Sequence, residues 1–142
     1  AEMAERWSSA RIDLVLGPTT AGIILAYCVA RNLGVGARYA EPASGGRELR
    51  RGQVMPAGSR VLVVDDILTT GLSVRECLQI VQANGARAVG VGVLADRSGG
   101  QASFGVPLRA LLTLDVPAYE PEVCPQCASG EPLTQRGSGA IV

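Results

Sequence analysis

The apolar positions of the chain change their period several times, and each change predicts an element. Residues 12–16, apolar except for Asp13, predict the first clear strand, with the turn Gly17-Pro18-Thr19-Thr20 after it. Ala21–Leu33, rich in Ala, Ile and Leu and followed by Gly34, predicts a helix with a glycine stop. Residues 36–40 predict a short extended stretch. Residues 41–58 are polar, rich in Gly and Arg and without period; they predict a long mobile loop, of the kind that in a compact domain is usually functional. The apolar run Val61-Leu62-Val63-Val64 between polar segments predicts a strand buried on both faces. From Ser73 to Asn84, apolar Val74, Cys77, Leu78 and Val81 have helical spacing, and Asn84-Gly85 ends it. In residues 88–95, Val89, Val91 and Val93 alternate with Gly90 and Gly92, a strand with something packed close against its glycine face. Residues 108–115 predict a further strand, and 116–142 a Pro-rich irregular tail. No internal repeat or low-complexity tract is present.

The order strand, helix, strand, loop, strand, helix, strand, strand predicts the α/β class, with a mostly parallel sheet flanked by helices. Residues 1–142 suit a single domain of that kind. Ligands of such sheets bind beyond the C-terminal ends of the strands. That rule marks residues 17–22, 65–73 and 96–100.

Composition narrows the chemistry. With 47% hydrophobic and 18% charged residues the chain is not a disordered one. No apolar run has the length of a membrane span, and no secretory signal is expected. The chain opens on Ala1, as a processed product or a fragment would. The 13 basic and 13 acidic side chains balance, so there is no basic field and nucleic acid is not an expected partner. His is absent, which removes His-based triads. Lys is absent too, and every basic residue is Arg. Chemistry must therefore rest on carboxylates, Arg, backbone amides or a bound metal. Cys28 and Cys77 fall in apolar periodic segments and read as core thiols. Cys124-Pro125-Gln126-Cys127 is a lone pair; structural zinc needs four ligands, and a tail turn is the expectation. A soluble, cytoplasmic domain is expected.

The sharpest signal is the segment from Val61 to Ser73, VLVVDDILTTGLS. A buried strand delivers two acids to the sheet edge, and Thr69-Thr70-Gly71-Leu72-Ser73 then turns into a helix. The first amides of a helix have no internal partners and, with the helix dipole, suit a phosphate monoester. Asp65 and Asp66 beside a phosphate make sense where they face hydroxyls or a metal, and a ribose 5-phosphate offers both groups. The competing reading is a helix cap, since Ser73-Val74-Arg75-Glu76 fits a capping box. A cap does not account for two adjacent acids, two Thr and a Gly in one turn.

VVDDILTTGLS resembles the motif with which type I phosphoribosyltransferases bind phosphoribosyl pyrophosphate (PRPP). The resemblance implies a Rossmann-like twisted sheet. It implies that Asp65 and Asp66 hold the ribose hydroxyls, and that Thr69, Thr70, Gly71, Leu72 and Ser73 hold the 5-phosphate. Leu72 stands where the family often has Gly. Pro18, Thr19, Thr20 and Ala21 resemble the family's pyrophosphate loop, with Ala21 where some orotate enzymes carry Lys. Asp96-Arg97 before Ser98-Gly99-Gly100 resembles the pair that in orotate phosphoribosyltransferases meets the pyrimidine, which implies that Arg97 binds the base. Residues 41–58 resemble the flexible loop that closes over the site, with Arg47, Arg50 and Arg51 as catalytic neutralisers of pyrophosphate. That loop usually carries a catalytic Lys, absent here, and Pro42 stands where a basic residue is often found. The Cys-Pro-x-Cys tail and the Gly-x-Pro-Leu stretch from Gly130 to Leu133 look like one branch of the orotate enzymes. The family's N-terminal hood is expected to be short or missing, with only residues 1–10 ahead of the first strand. The implied reaction joins PRPP and orotate into orotidine 5′-monophosphate, with Mg²⁺ brought on PRPP near Asp65 and Asp66, in a homodimer. Alternatives are a transferase for another base and a non-catalytic PRPP-binding regulator.

Overall fold

The computed structural model describes residues 1–117 and 119–132. Its elements are α1 (Glu2–Arg6), β1 (Leu14–Pro18), α2 (Ala21–Leu33), β2 (Gly36–Ala43), β3 (Gly46–Glu48), β4 (Arg60–Leu68), α3 (Leu72–Ala83), β5 (Arg87–Asp96), β6 (Leu108–Thr113), a 3₁₀ turn (Pro121–Val123) and α4 (Pro125–Ala128). The strands form one sheet in the order β3-β2-β1-β4-β5-β6. All neighbours run parallel except β2 and β3. This is the α/β architecture expected from the alternation of strands and helices.

Side-chain alternation divides the core into two layers. Leu14, Leu16, Val61, Val63, Val91 and Val93 face α3 and pack with its Val74, Cys77, Ile80 and Val81. Val15, Leu62 and Val64 face the other way, against Ala26, Val29 and Ala30 of α2 and Met3, Ala4 and Trp7 of the N-terminal segment. All four side chains of the run 61–64 are fully buried, which is why an unbroken apolar run works here. Helix α2 ends where its composition says it should: the amides of Gly34 and Val35 return to the carbonyls of Arg31 and Ala30 in a Schellman pair.

Three expectations need correction. The segment 41–58 is not one loop. β2 runs on to Ala43 and forms an antiparallel hairpin with β3, pairing Glu41 with Glu48 and Pro42 with Arg47. Backbone ladders do not require apolar side chains, so this polar hairpin leaves no period to read. Cys28 is exposed on the outer face of α2, and only Cys77 is a core thiol, one whose burial pushes its pKa up to about 12. The tail 116–142 is not irregular throughout, since it contains the 3₁₀ turn and α4; Leu133 and the rest of its end lie outside the described residues. Helix α1, the first element, leaves no trace in the sequence pattern, since its five residues are too few to show a period.

Helix α1 supplies what the glycines of β5 predicted. A Cβ on Gly90 would lie 2.0 Å from Cη2 of Trp7, and one on Gly92 would lie 2.7 Å from Sδ of Met3. Trp7 is 2% exposed and fills the space those missing side chains leave. Arg109 of β6 lies over its ring at 4.5 Å. Gly90→Ala should therefore destabilise the fold by about 1–3 kcal/mol through overpacking. The cost should shrink when Trp7→Ala is added, because the two share one space. Urea unfolding of the three variants measures both effects, and a Gly90→Ala protein as stable as wild type would contradict the packing.

Candidate active site

β1 is followed along the sheet by β2 on one side, while β4 lies on its other side and leads to β5. Strand order reverses at this point, and the C-terminal ends of β1 and β4 open a crevice there. The crevice measures about 590 Å³. Pro18, Thr19, Thr20 and Ala21 line it from the turn between β1 and α2. Asp65, Asp66 and Ile67 line it from the end of β4, Ser73 from the start of α3, and Pro42 and Arg47 from the hairpin.

The two acids sit within the strand rather than after it. The ladder between β4 and β5 continues through Leu68 paired with Asp96, so the strand outlasts its apolar run. Alternation then turns the two carboxylates to different faces. Asp65 is 5% exposed. Its Oδ2 accepts a hydrogen bond from Ser73 Oγ at 2.7 Å, and its Oδ1 one from the Asp66 amide at 2.9 Å. Burial pushes the Asp65 carboxyl up to about 6, against the lowering effect of those two hydrogen bonds. Asp66 is half-buried, and among the described residues only its Oδ1 accepts a hydrogen bond, from the Ile67 amide.

The turn into α3 is built differently from a capping box. Gly71 is the cap residue, at φ 77°, and no side chain caps the helix. Its left-handed backbone suits glycine. A Cβ there would also meet the Phe104 ring at 2.8 Å. Ser73 goes to Asp65 instead of the backbone, and Glu76 lies 3.1 Å from Arg47. The amides of Ser73 and Val74 donate to no acceptor among the described residues, as the start of a helix dictates. Thr69, Thr70 and Leu72 are exposed on this turn, beside the crevice rather than among its lining residues.

The remaining expected site residues lie apart. Arg97 follows β5, exposed, its amide bonded to the Leu68 carbonyl. The turn that carries it is pinned by buried Asp96, which accepts from the amide and hydroxyl of Ser98 at 2.8 and 2.6 Å. Arg50 pairs with Glu48, and Arg51 with Glu41. Neither lines the crevice, whereas Arg47 does. Ile67 and Glu76 escaped the sequence reading: one looks like an ordinary strand residue, and the other like half of a cap.

The sheet is doubly wound, and paired acids face a strand–helix turn across its switch point. Residues 2–103 match the family model described as phosphoribosyl transferase domain, and the chain belongs to that family. It is 47% identical over 137 residues to the orotate phosphoribosyltransferase of Caldanaerobacter subterraneus subsp. tengcongensis, covering 96% of this chain and 72% of that protein. To the orotate phosphoribosyltransferase of Thermotoga maritima it is 44% identical over 140 residues, covering 99% and 75%. Among solved structures, orotate phosphoribosyltransferase from Aeropyrum pernix superimposes with a TM-score of 0.65 at 28% identity, covering 80% of this chain and 68% of that one. Adenine phosphoribosyltransferase from Thermoanaerobacter pseudethanolicus gives 0.70 at 20% identity, covering 80% and 76%, a likeness of fold.

The raised value of Asp65 makes a stability prediction. Its folded-state value of about 6 lies above the ordinary 3.8. Asp65 therefore favours the folded state most below about pH 4, and that contribution disappears as pH rises through about 6. Relative to Asp65→Asn, which does not titrate, the ligand-free wild type should lose on the order of 2–3 kcal/mol between pH 4 and pH 7. Chemical denaturation across that range tests it, and parallel curves for the two proteins would refute the assignment.

Proposed function

We propose that this chain transfers ribose 5-phosphate from PRPP to N1 of orotate, giving orotidine 5′-monophosphate and pyrophosphate in pyrimidine nucleotide biosynthesis. One observation carries the reading. The end of β4 brings Asp65 and Asp66 into one crevice with Ser73 and the turn of Thr19 to Ala21, in a chain 44–47% identical to orotate phosphoribosyltransferases over most of its length.

In this reaction the bond from C1′ to pyrophosphate oxygen breaks and the bond from C1′ to N1 of orotate forms. Positive charge builds on the sugar and negative charge on the leaving group. On our reading Asp65 and Asp66 fix the ribose hydroxyls, which orients C1′. The turn from Thr69 to Ser73 receives the 5-phosphate on its free amides. The turn from Pro18 to Ala21, with Arg47, faces the pyrophosphate. Arg97 has no side-chain acceptor among the described residues and is free to meet the planar edge of the base. Arg50 and Arg51 would have to exchange Glu48 and Glu41 for the leaving group, so Arg47 is the better placed of the three.

Mg²⁺ belongs to the same reading. Among the described residues there is no cluster of three or more candidate metal ligands. This suits an ion held by one or two carboxylates together with substrate oxygens rather than by a protein cage. Asp66, with one oxygen that accepts no hydrogen bond among the described residues, and Asp65 are the residues that would hold it, and the ion would supply Lewis-acid neutralisation of pyrophosphate. A cytoplasmic location is part of the same reading, and Cys28, Cys77, Cys124 and Cys127 are all free thiols. A homodimer agrees with the exposed Ile24 and Tyr27 of α2.

A second reading, a PRPP-binding regulator without turnover, is favoured by the absence of Lys and by the pairing of Arg50 and Arg51 with acids. Calorimetric titration with Mg-PRPP and an absorbance assay of orotate consumption separate the two. The transferase reading expects both signals, whereas PRPP binding without orotate loss supports the regulator. Asp66→Ala should weaken PRPP binding by roughly a hundredfold or more, since one of the two carboxylates that hold the ribose hydroxyls is lost. Arg97→Ala should raise the orotate KM by roughly tenfold and leave the PRPP Kd within about twofold. Equal damage to both substrates would rule out Arg97 as the base contact.

A further inference from the structure

Among the described residues, Arg47 is the one basic side chain that lines the crevice, against two acids, Asp65 and Asp66. Its side chain is 16% exposed, far less than is usual for Arg. Its Nη1 donates to the Thr19 carbonyl at 3.2 Å, to Thr19 Oγ1 at 3.1 Å and to the Ala40 carbonyl at 3.3 Å. Its Nε lies 3.1 Å from Oε2 of Glu76. The Nε–H is buried and not aimed well enough to make a hydrogen bond, so Glu76 acts on it as a counter-charge. Nη2 donates to nothing among the described residues.

These contacts come from three directions, and each has a distinct effect. Thr19 belongs to the turn that would face pyrophosphate, so Arg47 is tied to that end of the crevice. Glu76 belongs to α3, three residues after Ser73, and the two lie on the same side of the helix. One side of α3 thus holds the Asp65 carboxylate through Ser73 and the Arg47 guanidinium through Glu76. The hairpin tip rests on the same carboxylate, since a Cβ on Gly46 would lie 3.5 Å from Oε1 of Glu76. A guanidinium this withdrawn from water needs a counter-charge. Without Glu76, solvation favours swinging Arg47 out of the crevice.

We propose that Glu76 is a positioning residue for the transferase: it holds the β2–β3 hairpin against α3 and fixes Arg47 with Nη2 free to meet the leaving pyrophosphate. The proposal rests on the transferase reading. Arg47 takes the role of cation at the leaving group in a chain without Lys. Glu76 never touches substrate.

The test is a double-mutant cycle on the full chain with Glu76→Gln, Arg47→Gln and the pair. Thermal melts of each variant, read beside the kinetics, show how far the loss of the ion pair also costs stability; Glu76→Gln keeps the side-chain volume, whereas Arg47→Gln shortens the side chain and removes donors. Glu76→Gln should lower kcat/KM for PRPP by about tenfold and leave the orotate KM within about twofold. Added to Arg47→Gln, it should cost less than about twofold more. Glu76→Asp, which keeps the charge, should recover part of the loss. Equal loss in both backgrounds would mean that Glu76 does not act through Arg47. Wild-type kinetics in Glu76→Gln, or tighter PRPP binding from a less negative surround, would overturn the proposal as well. Calorimetry with Mg-PRPP keeps the two failures apart. A wild-type chain that binds no PRPP defeats the transferase reading and this proposal with it, while a chain that binds PRPP and is indifferent to Glu76 defeats the proposal alone.

Discussion

The crevice depends on one carboxylate held out of water. Asp65 continues on β4 the parity of Val61 and Val63, which are wholly apolar and buried in the α3 layer. Burial there disfavours its charge, and Ser73 and the Asp66 amide only partly offset that. The arrangement is stable because those partners come from the same turn of chain. The strand that buries Asp65 also delivers the helix whose hydroxyl satisfies it. A ligand with hydroxyls and a cation meets an acid that gains from being paired, which is the physical preference one wants at a sugar diol.

From that point the rest of the site follows by topology. Parallel strands end on the same edge, so β1 and β4 set their turns side by side, and each turn opens a helix whose first amides lack internal partners. Anion sites therefore arise in pairs across the switch point. The acids of β4 stand between the turn leading to α3 and the turn leading to α2. Substrates with a phosphate at one end, a diol in the middle and a pyrophosphate at the other match that order of donor, acceptor and donor.

How much of this the sequence discloses depends on the range of each interaction. The segment 61–73 was legible because its contacts are local: Asp65 meets Ser73 eight residues on. The apolar run marked the strand, though not its continuation to Leu68, because hydrogen bonds to β5 prolong it without any apolar signal. Gly90 and Gly92 announced a close neighbour, yet Trp7 could not be named, since it comes from more than eighty residues away. The hairpin left no trace. Its strands are short and polar, one carries Pro42, and Arg47 owes its place to Thr19, twenty-eight residues earlier. Ser73 and Glu76 show the limit from the other side. Their spacing fits a capping box, and both are in fact turned outward from the helix end to side chains of other elements.

The charge balance of the crevice sets the terms for catalysis. Two acids and one guanidinium line it, so by itself it does not attract a highly charged anion. On the proposed reading, attraction comes from oriented amides at the two helix starts and from a cation that travels with the substrate. Directed donors of this kind act over a few ångströms and demand a fixed geometry, unlike a cluster of lysines, which acts at a distance and tolerates disorder. A chain without Lys is thereby committed to precision in placing its backbone and Arg47. That commitment explains why Arg47 is anchored on three sides when most surface arginines are held on one or none.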